Sequence, residues 1–125
     1  MSLEEMNILV VEDTAINLKT IVRLLQKKGV QADGVASGKE CLALIKEKHF
    51  DLIFMDYLMP EMDGVETFRQ MQAQEHLCKE TPVVMLTAVT DGGAKEEFEE
   101  MGFSDYLGKP VLPPNLYAIV EKYCK

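Results

Sequence analysis

Apolar and polar positions follow one another along this chain in two alternating rhythms. Ile8-Leu9-Val10-Val11, Leu52-Ile53-Phe54-Met55 and Val83-Val84-Met85-Leu86 are short, unbroken apolar runs, the pattern of strands buried on both faces. Between them apolar residues recur every three or four positions, as on one face of a helix. The first strand is predicted over residues 7–11. A helix follows with its stripe at Leu18, Ile21, Val22 and Leu25, and stops at Gly29. Residues 30–36 read as a weaker strand, because Asp33 and Gly34 sit inside it, which suits a sheet edge. Ser37-Gly38-Lys39-Glu40 has the spacing of a capping box and opens a helix carrying Cys41, Leu42 and Ile45.

Further strands are predicted over 52–55, 82–86 and, briefly, 105–107. Val65, Phe68 and Met71 mark a third helix, and Ala94, Phe98 and Met101 a fourth. The last helix begins near Pro113-Pro114 and presents Leu116, Ile119, Val120 and Tyr123. Gly92-Gly93 gives the chain local freedom ahead of the fourth helix. Strands alternating with helices form βαβ units, hence an α/β fold with an open, doubly wound parallel sheet and helices on both faces. Five units are too few for a closed barrel of eight. A single domain is expected over residues 1–125, with 1–5 an extension ahead of the first strand.

Composition narrows the functional classes. The chain has 125 residues, 47% apolar and 27% charged, which is enough to bury one core. Thirteen Lys and Arg against 21 Asp and Glu leave a net charge of −8. That balance opposes non-specific binding to nucleic acid or to an anionic membrane. The apolar runs are too short to cross a bilayer, and no signal peptide opens the chain. Cys41, Cys78 and Cys124 match neither a disulfide framework nor a zinc site, so a reducing, cytoplasmic setting is expected. His49 and His76 lack ligand spacing and read as surface residues; the eight methionines read mostly as core.

In an open α/β sheet the ligand site lies beyond the carboxyl ends of the strands. There the sequence delivers Glu12 and Asp13 after the first strand, Asp56 after the third, Thr87 after the fourth and Lys109 after the fifth. Neighbouring strands are about 4.8 Å apart, so these side chains come within reach of one another if strands one, three and four are adjacent. Three close carboxylates repel unless a cation joins them. Oxygen donors without His or Cys favour a hard divalent ion such as Mg²⁺. A carboxylate can also act as a nucleophile towards phosphorus, and phosphoryl transfer chiefly needs positioning and charge neutralisation. The rim therefore reads as a phosphoryl-transfer site. Each residue alone has a plainer explanation: Asp13 as a cap of the first helix, Asp56 as a turn former, Thr87 as a strand end, Lys109 as a surface charge.

Ile8-Leu9-Val10-Val11-Glu12-Asp13, the loop Asp56-Tyr57-Leu58-Met59-Pro60-Glu61-Met62-Asp63-Gly64, Leu86-Thr87-Ala88 and Lys109-Pro110, in this order, resemble the receiver domain of two-component response regulators. The resemblance covers essentially the whole chain. It implies the strand order 2-1-3-4-5 and makes Asp56 the phosphoacceptor. Asp13 and Asp56 would bind Mg²⁺ (or Mn²⁺) directly, Glu12 through water, and the Leu58 backbone carbonyl would complete the protein ligands. Thr87 and Lys109 would contact the phosphoryl oxygens, Tyr106 would swing inward with Thr87 as a switch, and the Lys109-Pro110 bond would be cis. Phosphoryl groups would come from a sensor histidine kinase, a histidine phosphotransfer domain or a small donor. The readout would be the surface of the fourth helix, fifth strand and fifth helix, serving a downstream protein or a fused output domain, from a monomer or weak dimer. The acidic run Lys95 to Glu100 on that surface would suit a basic partner.

Leu58 and Val89, two residues beyond Asp56 and Thr87, are both apolar. Neither side chain can orient an attacking water, which predicts slow self-dephosphorylation. A phosphatase or mutase using an aspartyl-phosphate would want a second Asp where Leu58 stands. A flavodoxin-like carrier would want a phosphate loop where Glu12 and Asp13 stand. A degenerate receiver acting only as an interaction module is the remaining alternative. The expectation is a signalling switch and not a conventional enzyme.

Overall fold

The computed structural model describes residues 1–88 and 93–124. A single 3₁₀ turn over Leu3–Glu5 leads into β1 (Asn7–Val11), followed by α1 (Ala15–Lys28), β2 (Gln31–Val35), α2 (Gly38–Leu44) and β3 (Leu52–Asp56). The chain continues through α3 (Gly64–Ala73), β4 (Val83–Thr87), α4 (Ala94–Met101), β5 (Asp105–Gly108) and α5 (Pro113–Tyr123). All strands are parallel, in the order β2-β1-β3-β4-β5. Each predicted strand and helix is present, and β2 lies at an edge as its Asp and Gly suggested.

The period-two alternation of each central strand feeds two separate cores. Leu9, Val11, Ile53, Met55, Val83 and Met85 face α2, α3 and α4, where Cys41, Ile45, Phe68, Met71 and Phe98 complete the layer. Ile8, Val10, Leu52, Phe54, Val84 and Leu86 face α1 and α5, against Ile21, Leu25, Leu116 and Val120. Continuous apolar runs at the sheet centre are thus required by the covering of both faces. Met101 departs from its expected place. It ends the α4 stripe at 40% exposure, leaving Ala94 and Phe98 as that helix's buried residues.

Helix ends show how local chemistry sets boundaries. Gly29 closes α1 in the left-handed conformation at φ 105°. Ser37 Oγ accepts from the Glu40 N–H, but the Glu40 carboxylate returns to the Ala36 N–H, one residue beyond the expected capping-box partner. Asp13 is not the cap of α1. Thr14 holds that position without a side-chain bond. His76 is a bridging group more than a surface one: its Nε2 meets the Met71 carbonyl and its Nδ1 accepts from the Cys78 N–H. Gly93 takes a left-handed φ of 86° at the start of α4, while Gly92 lies outside the described residues. Among the described residues, no helix is long and apolar enough to cross a membrane.

Candidate functional site

Register brings the chemistry together. Val11 pairs with Met55 across β1 and β3, so the next residues, Glu12 and Asp56, stand side by side at the carboxyl edge. Thr87 pairs with Gly108 across β4 and β5, and the Lys109 N–H donates to the Thr87 carbonyl at 2.9 Å. The Lys109-Pro110 peptide bond is cis. The Lys109 ammonium lies 2.8 Å from Glu12 Oε1 and 2.6 Å from Asp56 Oδ1. It bridges two carboxylates that are almost wholly buried, at 0% and 3% side-chain exposure. The other Glu12 oxygen accepts from the Thr14 N–H at 3.0 Å.

Oxygens of Glu12, Asp13 and Asp56 lie within 4.8 Å of one another. Three carboxylates against one ammonium leave a net negative corner, and an all-oxygen donor set of this kind fits a hard divalent cation. Burial pushes the Asp56 carboxyl from its ordinary 3.8 up to about 7, and the Glu12 charge adds to the rise while Lys109 opposes it. Burial also disfavours the Lys109 ammonium, but its bonds to Asp56 and Glu12 outweigh that and hold its pKa above the ordinary value. The corner is thus poor in positive charge and ready to accept more.

A pH dependence follows from the direction of the Asp56 shift. Between the unfolded value of 3.8 and the folded value of about 7, the metal-free folded protein keeps a proton that the unfolded chain has released. The stability from this group is full below the lower value and is lost as pH rises through the upper one. Thermal melts in a chelator should therefore fall between about pH 5 and about pH 8, and Asp56→Asn should flatten that slope. An equal slope in wild type and variant would contradict the assignment.

Thr87 is buried at the end of β4, and Leu58 projects into solvent at 70% exposure. Tyr106 is half-buried on β5, its ring 6.4 Å from that of Phe98. Val89 lies outside the described residues. The loop from β3 to α3 folds tightly against Asp56. The Gly64 N–H donates to the Tyr57 carbonyl at 2.8 Å, and Glu61 adopts a left-handed φ of 68°. A Cβ on Gly64 would stand 2.3 Å from the Asp56 carbonyl oxygen. Gly64 is thus a requirement of the site, and its spacing eight residues after Asp56 carries no local signal of that contact.

A family model described as response regulator receiver domain matches residues 8–121. The chain is 32% identical over 117 residues to the polar-differentiation response regulator DivK of Brucella ovis, covering 94% of each. It is 35% identical over 118 residues to the signal transduction histidine-protein kinase BarA of Shigella flexneri, covering 94% of this chain. The chain spans about one seventh of the length of the curated histidine kinases it matches. Among solved structures, the receiver domain of the sensor histidine kinase PA1611 from Pseudomonas aeruginosa, with a magnesium ion coordinated in its active site cleft, superposes with a TM-score of 0.83. Identity there is 31%, over 94% of this chain and 96% of that one.

Proposed function

The chain belongs to the response regulator receiver domain family, and from that premise we propose that it is a phosphoacceptor switch whose acceptor is Asp56. Receiver domains are signalling switches of two-component systems and are related to the receiver segments of histidine kinases. The observation that carries the finer reading is the Lys109 ammonium 2.6 Å from Asp56, beside three clustered carboxylates. A nucleophilic oxygen, a fixed positive charge and an oxygen-rich cation site meet at one corner, as phosphoryl transfer requires.

In the proposed reaction an Asp56 oxygen attacks the phosphorus of a phosphohistidine or of a small acyl phosphate. The new O–P bond forms as the bond to the donor breaks, and the leaving imidazole or carboxylate keeps the electron pair. Lys109 and the Thr87 hydroxyl take the phosphoryl oxygens. Asp13, Asp56, the Leu58 carbonyl and, through water, Glu12 would hold Mg²⁺ (or Mn²⁺), which supplies charge neutralisation. Thr87 and Tyr106 then bias the α4–β5–α5 surface between two arrangements. The donor is a sensor histidine kinase or histidine phosphotransfer domain, and the acidic α4 face favours a basic downstream partner. We take residues 1–125 as one receiver domain acting in the cytoplasm.

The test is chemical. Borohydride reduction of the phosphorylated protein should convert Asp56 to homoserine, found by peptide mapping. Homoserine at any other Asp, or at none, would reject the acceptor. A second expectation concerns lifetime. Leu58 offers no hydrogen bond to an attacking water, so Leu58→Asn should shorten the phosphoryl half-life about tenfold, equal to roughly 1.4 kcal/mol of barrier. An unchanged decay rate would count against control by this position.

A further inference from the structure

Tyr57, the residue after Asp56, has no part in the chemistry above, yet it is the site's direct neighbour in the chain. Its backbone is fixed at both ends: the N–H donates to the Leu86 carbonyl at 2.9 Å, and the C=O accepts from the Gly64 N–H at 2.8 Å. The ring is half-buried and packs against the core on the α4 side of the sheet. It lies edge-on to Phe98, with centroids 5.8 Å apart and planes at 70°. Phe98 also touches Phe103 at 6.1 Å and Tyr106 at 6.4 Å. Such aromatic pairs have preferred geometries, edge-to-face among them.

Helix α4 depends on that ring. Of its residues only Ala94 and Phe98 are buried, and its first turn starts at Gly93 with no side-chain cap. Phe98 is therefore the main anchor of α4, and two tyrosines beside the site pack against it: Tyr106 on β5, and Tyr57 directly after β3. Asp56 is 2% exposed in a packed corner. A group added to Asp56 has to be accommodated in that corner, directly beside the start of the loop at Tyr57. From this geometry we propose that Tyr57 is a positioning residue, a second lever through which the state of Asp56 reaches α4 by way of Phe98, independent of Tyr106.

This inference rests on Asp56 being the acceptor, and its test separates the two. The full chain, labelled with ¹⁵N, is loaded with acetyl phosphate and Mg²⁺, and loading is checked by intact mass in the same sample. The readout is the phosphorylation-induced shift of the amides in residues 94–101. Tyr106→Leu should retain at least about a third of the wild-type shift, and Tyr106→Leu with Tyr57→Leu should lose it. Tyr57→Phe, which keeps the ring, should match wild type, and Phe98→Leu should silence both routes without touching either tyrosine. Tyr57→Leu with full wild-type shifts, or Tyr106→Leu alone silencing α4, would overturn the second lever. Wild-type protein that takes no phosphoryl group would instead remove the acceptor assignment, and this inference with it.

Discussion

Lys109→Ala should destabilise the metal-free protein by about 3 kcal/mol and slow phosphoryl transfer on the order of 100-fold. Removing the ammonium leaves Glu12 and Asp56 buried side by side, at 0% and 3% exposure, with their shared counter-ion gone. Breaking a buried ion pair from one side costs more than the pair contributes, because the orphaned charge keeps its desolvation penalty. Lys109 itself is 25% exposed, so water relieves part of this and the low end of the usual range applies. Urea melts in a chelator measure the loss. Lys109→Met separates charge from the packing of the stem, and adding Asp56→Asn to Lys109→Ala should restore most of the stability. A loss equally large in the Asp56→Asn background would show that the charge pair is not its origin.

Gly64→Ala has the second large effect. Its Cβ would sit 2.3 Å from the Asp56 carbonyl oxygen and 3.1 Å from Met55 Cγ. The nearer atom is backbone at the end of a central strand, so it cannot rotate away. Overpacking of this kind costs about 1–3 kcal/mol, and here the displaced strand end carries the proposed acceptor. The variant should fold with a lower melting temperature and load from acetyl phosphate several-fold more slowly. Gly29→Ala is the control: its Cβ meets nothing within 4 Å, and its penalty comes only from φ 105°, so it should lower stability without altering loading. Equal loading by wild type and Gly64→Ala would mean that the loop adjusts without moving Asp56.

The central strands were legible because their apolar runs are unbroken, unlike half-exposed strands, and too short for helices, and helices cover both faces of the sheet. The site's parts were legible because Glu12, Asp56 and Thr87 each directly follow an apolar run, and register places the ends of those strands and of β5, which leads into Lys109, along one edge. Long-range contacts were not. The sequence places Glu12 at the rim, but nothing local signals its complete burial or its bond to Lys109, 97 residues away. Gly64 stands in the sequence only as the last residue of the loop after Asp56, and the fold of that loop shows how closely it approaches Asp56. Met101 fits the helical stripe but is exposed as the last residue of α4, whose buried positions are Ala94 and Phe98. His76 carries no spacing signal, since its partners are main-chain groups at Met71 and Cys78.

The central claim is that Asp56 takes a phosphoryl group with the help of a divalent ion. Intact-protein mass after incubation with acetyl phosphate, with and without Mg²⁺, on wild type and Asp56→Asn, tests it most directly. The account predicts one hydroxylamine-labile phosphoryl adduct on wild type that requires Mg²⁺ and is absent from the variant. An adduct that persists in Asp56→Asn, or no adduct together with no Mg²⁺ binding by titration, would contradict it.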